Sequence, residues 1–106
     1  MKKQRHHQLR HPDIFLADYR DREHQEYSKL FLCFSDKGPY LLEDVLTPGW
    51  AASNCGGGTI RTDLPAQFYK GQTPETFAEQ FGGPRFREQI RQNAELAAFL
   101  EEANRQ

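Results

Sequence analysis

Cys55 is the first residue of this sequence whose type and setting could support chemistry. It stands in the stretch SNCGGGTIR, residues 53–61, directly before three glycines. A nucleophilic cysteine needs a pKa lowered by a histidine, a cation or a helix N-terminus. The nearest cation is Arg61, and all four histidines lie within the first 24 residues. Cys55 is therefore a candidate nucleophile without a partner nearby in the sequence, and a cysteine in a flexible loop is the simpler interpretation.

The glycine run next to Cys55 does not have the pattern of a phosphate-binding loop. Such loops lead into a helix N-terminus, and those that bind ATP add a Lys and a Ser or Thr. Here the glycines lead into TIRTDLP, a strand-like piece that ends at a proline. Three glycines in this position indicate a tight chain reversal or a close approach of the backbone to a neighbour.

The long connection over residues 47–59 is where a small-molecule site would lie, because long loops inside compact domains are usually functional or disordered. It carries the only tryptophan, Trp50, together with Cys55. With Tyr40 or Tyr69 beside it, Trp50 would form an aromatic wall for a ligand. These four residues are the candidate ligand-binding set, and an enzyme that used this loop would rely on Cys55 or Asp63.

Composition gives little support to metal, cofactor or nucleic-acid binding. The histidines lack the spacing of a metal site, except for the weak pair His7 and His11, so neither a metal nor a cofactor is predicted. The net charge of −1 provides no general attraction to nucleic acid. Local basic groups leave weak nucleic-acid binding as an alternative, and these are Lys2, Lys3, Arg5 and Arg10 near the N-terminus and Arg85, Arg87 and Arg91 in a predicted helix.

The length and composition predict one small domain with an aromatic core. The chain has 106 residues, with eight phenylalanines, four tyrosines and a single valine. Two cysteines do not make a disulfide framework, and no apolar run approaches the ~18 residues that cross a bilayer. No signal peptide is visible. A soluble, cytoplasmic protein is therefore expected, with residues 1–11 as a basic mobile arm and residues 12–106 as the domain.

Alternating side chains predict three or four strands in the first two thirds of the chain. In KLFLCF, residues 29–34, both faces are apolar, which indicates a central strand that is covered at least in part on each side. The following SDKG predicts a hairpin with Gly38 in the left-handed region. The expected strands are residues 13–20, 28–35, 40–46 and 59–63.

The last third of the chain predicts two helices. Thr73 is a candidate N-cap, Pro74 suits the first helical position, and the glycines at 82 and 83 end this helix. A second amphipathic helix follows, so the two helices are expected over residues 74–81 and 85–104. Phe99 lies off the apolar arc of this second helix. It is expected either to be an exposed aromatic at a dimer contact or to pack against the N-terminal arm.

These elements predict an α+β fold, an antiparallel sheet of three or four strands packed against two C-terminal helices. No pair of acidic residues is singled out for acid–base catalysis. The sequence therefore favours a non-enzymatic binding module that self-associates or binds a protein partner. The alternatives are an enzyme or ligand-binding protein that uses the 47–59 loop, and a weak nucleic-acid binder. Membrane binding is not expected.

Overall fold

The computed structural model describes residues 11–46 and 57–105, and it shows the predicted α+β fold. A four-stranded antiparallel sheet with strand order β1-β2-β3-β4 packs against C-terminal helices. The strands are β1 (Ile14–Asp21), β2 (Glu26–Ser35), β3 (Gly38–Leu46) and β4 (Gly57–Asp63). The helical part is α1 (Pro74–Phe77), a π-helical turn (Ala78–Gly82), α2 (Gly83–Arg91) and α3 (Ala94–Arg105).

The hairpin between β2 and β3 forms at the predicted SDKG turn. Ser35 pairs with Gly38 across the turn, and the Ser35 hydroxyl accepts a hydrogen bond from the Lys37 N–H at 3.2 Å. Gly38 has φ +113°, a conformation that residues with a side chain rarely adopt. The turn thus fixes the register that places Leu32 opposite Leu41 in the core.

The start of the helical part also follows the sequence. The Thr73 hydroxyl accepts a hydrogen bond from the Thr76 N–H at 3.2 Å, and Pro74 occupies the first turn. The break after the π-helical turn falls at Gly83, whose φ is +61°. This angle suits glycine, so the chain can change direction at Gly83, the first residue of α2.

The long second helix that we predicted is divided at Asn93. The side-chain oxygen of Asn93 accepts a hydrogen bond from the Leu96 N–H at 2.9 Å, and its backbone oxygen accepts from Ala97. A new helix therefore starts at Ala94, while α2 ends at Arg91. Asparagine often caps helices because its side chain can replace an intrahelical hydrogen bond.

The aromatic core lies between the sheet and the helices. Phe77 and Leu32 are fully buried in it. Phe99, which we considered as an exposed dimer contact, is only 6% exposed, and its ring lies 5.1 Å from His11 and 5.3 Å from Phe34. Phe99 therefore packs against the end of the predicted arm and gives no support to a dimer. Residues 1–10 lie outside the described part of the chain.

Candidate interaction surface

The outer edge of β1 is closed by two amide side chains from the helical part. Asp18 donates its backbone N–H to Gln89 Oε1 at 3.1 Å, and Gln89 Nε2 donates back to the Asp18 carbonyl. Asn93 Nδ2 donates to the carbonyls of Phe15 and Leu16 at 2.8 and 3.1 Å. A side-chain amide that both donates and accepts occupies the place that a neighbouring strand would take. No further strand can add at these positions without displacing these side chains.

A β-bulge in β1 helps to place these contacts. Phe15 pairs with Phe31 and Ala17 pairs with Leu30, so Leu16 is the extra residue. The bulge turns Leu16 into the core, where it is 2% exposed, while its carbonyl reaches Asn93. The edge is thus closed by a local irregularity together with residues more than seventy positions away in the sequence.

The opposite edge of the sheet, β4, has no such cover within residues 11–46 and 57–105. Leu64 donates its N–H to the Pro39 carbonyl at 3.0 Å, which fixes the phase of the ladder between β3 and β4. Because hydrogen-bonded pairs alternate along an antiparallel ladder, the backbone groups of Thr59, Arg61 and Asp63 point away from the sheet. In this part of the chain, none of these groups has a backbone or amide partner.

The side chains of β4 differ between its two faces. Ile60, on the helix side, is 55% exposed. Arg61, on the other face, lies 3.9 Å over the Tyr40 ring, and its Nε donates to Asp63 Oδ1 at 2.9 Å. One large apolar side chain is thus exposed beside a strand edge, and the neighbouring charges already have partners.

A groove borders β4 on the helix side. It has a volume of about 290 Å³, and the residues that supply its apolar wall are Leu30, Leu41, Ile60, Phe81 and Phe86. It exists because α2 and α3 pack against β1, at the far side of the sheet, so that in the described part of the chain no helix lies over β4. We define the β4 surface as the outer edge of Gly57–Asp63 together with this groove.

The sheet face away from the helices carries a second apolar area. Phe15 is 44% exposed and meets Phe31 edge to face at 5.6 Å, with the half-buried Leu42 next in the register. At one end of the sheet, Arg20 and Lys29 lie over the Tyr27 ring. Lys29 lies between Asp18 and Asp44 in the register, so the charge beside this area does not select an anionic partner.

The predicted ligand-binding residues are not brought together in the described part of the chain. Tyr40 lies under Arg61 on the sheet face away from the helices. Tyr69, by contrast, packs against the core and against Phe68 on the helix side. Trp50 and Cys55 lie outside the described residues. The ligand site in the 47–59 loop therefore stays a prediction.

Cys33 is the thiol that the structure does describe, and its setting opposes reactivity. It is 2% exposed, and burial, with the nearby Asp13 carboxylate, raises its pKa to about 11. The thiolate is the nucleophilic form, so Cys33 is protonated and unreactive near neutral pH. Among the residues described, no three His, Cys, Asp or Glu side chains cluster as a metal site would require.

The helix arginines considered for nucleic acid all have acidic neighbours. A phosphate would have to compete with these carboxylates, which lowers the gain from contact. The shortest pairs are Arg85 with Glu26 at 3.4 Å, Arg87 with Glu79 at 3.9 Å, and Arg91 with Glu88 at 3.2 Å.

The residues that close the β1 edge and those of the β4 surface were not singled out from the sequence. In the sequence, Gln89 and Asn93 are typical of a helix. Ile60 is typical of an edge strand, but the sequence does not show which element packs beside it. The one available signal was that two amides sit four residues apart, on one helix face.

Comparison of the chain with protein-family models, curated proteins and solved structures gave no match. Within residues 11–46 and 57–105, no helix is both long and apolar enough to cross a membrane.

Proposed function

We propose that this protein is a small non-enzymatic interaction module that self-associates through the β4 surface. The observation that carries the proposal is the contrast between the two edges of one sheet. The edge at β1 is closed by Gln89 and Asn93, whereas the outward backbone groups of β4 have no partner in the described part of the chain.

An uncovered edge strand is a template for pairing with another strand, and proteins that stay monomeric usually block such edges. Pairing would satisfy the outward N–H and C=O groups of Thr59, Arg61 and Asp63. Backbone hydrogen bonds of this kind supply affinity, and pockets beside the edge supply specificity. The groove beside Ile60 provides such an apolar pocket.

Two features of the β4 surface favour self-association over capture of a charged partner. Ile60 offers apolar area, and the two charged side chains of the strand, Arg61 and Asp63, pair with each other. The edge therefore presents little net charge, and the same self-complementary patch is what an isologous contact between identical chains requires.

The experiment that tests the proposal is sedimentation of the full chain over a wide concentration range. We expect association that depends on concentration, and we expect Thr59→Pro to abolish it. Proline removes an N–H that faces away from β3, so the ladder inside the sheet stays intact. Thr59→Ala, which keeps this N–H, is the matched control and should associate like the natural chain.

Thermal melting at low concentration would establish that both variants fold. A natural chain that stays monomeric up to about 1 mM, corresponding to association weaker than about −4 kcal/mol, contradicts the proposal. Equal association of the Thr59→Pro and Thr59→Ala variants would place the contact on another surface, and the apolar area around Phe15 would then be the next candidate.

A further inference from the structure

We propose that the partner at the β4 surface is a second copy whose β4 runs antiparallel, about a two-fold axis centred on Ile60. This inference rests on the proposed self-association and specifies its register. The two four-stranded sheets would join into one continuous sheet. Ile60 of each copy would lie directly opposite Ile60 of the other.

The symmetry follows from pairing identical edges. Two copies related by a two-fold axis perpendicular to the sheet present the same strand in opposite directions, which is an antiparallel ladder. It also places the helical layers of both copies on the same side of the joined sheet. The helices α2 and α3 contact β1, at the far edge, and of the two only the start of α2 borders the groove beside β4.

The direction of the backbone groups limits the register. Within the strand, Gly57, Thr59, Arg61 and Asp63 have N–H and C=O groups that point outward, so these residues must form the hydrogen-bonded pairs. Axes through Ile60, Arg61 or Thr62 are the ones that pair Asp63 with another outward residue of the strand, and the axis through Ile60 brings all four outward residues into such pairs.

Side-chain chemistry separates these three centres. A centre at Arg61 places two like charges directly opposite each other, which is destabilising. A centre at Thr62 places Arg61 opposite Asp63 of the second copy, but it also places Pro65, which has no N–H, opposite Thr59 and leaves the first residues of β4 unpaired. A centre at Ile60 pairs all of Gly57–Asp63 with itself.

The Ile60 register also matches the exposed apolar area. Residues opposite each other in a non-hydrogen-bonded pair have Cβ atoms about 4.5–5.5 Å apart, within contact for two isoleucines. Ile60 is 55% exposed and lies at the mouth of the groove. Pairing would shield both isoleucines and place Arg61 opposite Thr59 of the second copy, where no like charge opposes it.

Charge variants at the proposed centre provide the test, with the full chain in sedimentation equilibrium. Ile60→Lys and Ile60→Glu each place like charges opposite each other, so each variant alone should have a dissociation constant raised about tenfold or more. A mixture of the two should associate again, because opposite charges then face each other. The matched control is Gln92→Lys, which adds the same charge at an exposed position outside the β4 surface. Thr62→Lys separates the registers, since Thr62 faces Gly58 of the second copy in this register but faces itself in the register centred on Thr62.

The outcomes separate the register from the proposed function. Recovery in the Lys and Glu mixture, with association of Gln92→Lys unchanged, supports the Ile60 centre. Loss of association in Thr62→Lys but not in Ile60→Lys overturns the register and indicates a centre at Thr62. Association that none of these variants changes overturns the β4 pairing. A natural chain that never associates overturns the proposed function itself.

Discussion

Replacing Asn93 should lower the free energy of unfolding, because its side chain both caps α3 and bonds to carbonyls of β1. The side-chain oxygen caps α3 through the Leu96 N–H at 2.9 Å, and an N-cap is worth about 1 kcal/mol. The amide nitrogen donates to the part-buried Leu16 carbonyl and to the exposed Phe15 carbonyl. These bonds should contribute about 1 and about 0.5 kcal/mol, since the exposed carbonyl can bind water instead. The expected loss for Asn93→Ala is therefore about 2.5 kcal/mol.

Asn93→Ser separates the two parts. The serine hydroxyl can still cap the Leu96 N–H, but it is too short to reach β1, so the expected loss is about 1.5 kcal/mol. In a domain of this size, each kcal/mol lost lowers the melting temperature by about 4 °C. We therefore expect melting temperatures about 10 °C below that of the natural chain for Asn93→Ala and about 6 °C below it for Asn93→Ser. Gln92→Ala is the control, because within the described residues its side chain bonds to Glu88 on the helix surface, at 2.8 Å, and does not contact β1.

The measurement is urea unfolding followed by circular dichroism, at a concentration low enough to suppress association. The control should stay within about 0.5 kcal/mol of the natural chain. If the Asn93→Ala variant also has a stability within about 0.5 kcal/mol of the natural chain, the cap and the carbonyl contacts contribute nothing and the prediction is wrong. Equal losses for Ala and Ser would show that the cap makes no contribution.

Three further predictions concern other sites. Cys33, in a chain that lacks its other cysteine, should react with iodoacetamide at a rate that still rises above pH 10, since burial raises its pKa to about 11; an inflection near pH 9 would contradict this. Gly82→Ala should lower the denaturant midpoint, because the new Cβ would lie 2.9 Å from a backbone atom of α2, and an unchanged midpoint would show that α2 can shift freely. His24 should titrate above its ordinary pKa of 6.5 in an NMR experiment, because its ring nitrogen lies 2.8 Å from the Asp21 carboxylate. The raised pKa of His24 and the lowered pKa of Asp21 mean that the contact stabilises the fold between the two titrations. It is lost as pH rises through the pKa of His24 or falls through that of Asp21, and a His24 pKa at or below 6.5 would contradict the contact.

Much of the fold was predictable because local chemistry encodes it. The SDKG turn required glycine at a positive φ, and Gly38 has φ +113°. The two glycines before Pro84 marked a chain break, and Gly83 has φ +61°. The KLFLCF segment predicted a central strand because both of its faces are apolar, and β2 lies between β1 and β3.

The division of the second helix and the position of Phe99 were less accessible. Asn93 fits an amphipathic helix by spacing, and it becomes a cap because its amide also reaches the bulged β1. Phe99 lies off the apolar arc of a straight helix that continues through residue 93. Once α3 starts afresh at Ala94, its orientation turns Phe99 onto Phe34 and Phe68.

The element types, the pairing of β2 with β3 in a hairpin and the aromatic nature of the core could be read from the sequence. Turns, caps and periodicity act between residues near each other in the chain. The closing of the β1 edge, and the lack of such a cover at β4 among residues 11–46 and 57–105, depend on the tertiary structure. Gln89 meets Asp18 across 71 residues because of where α2 settles on the sheet. The same placement leaves Ile60 exposed at β4, and the proposed function depends on that asymmetry.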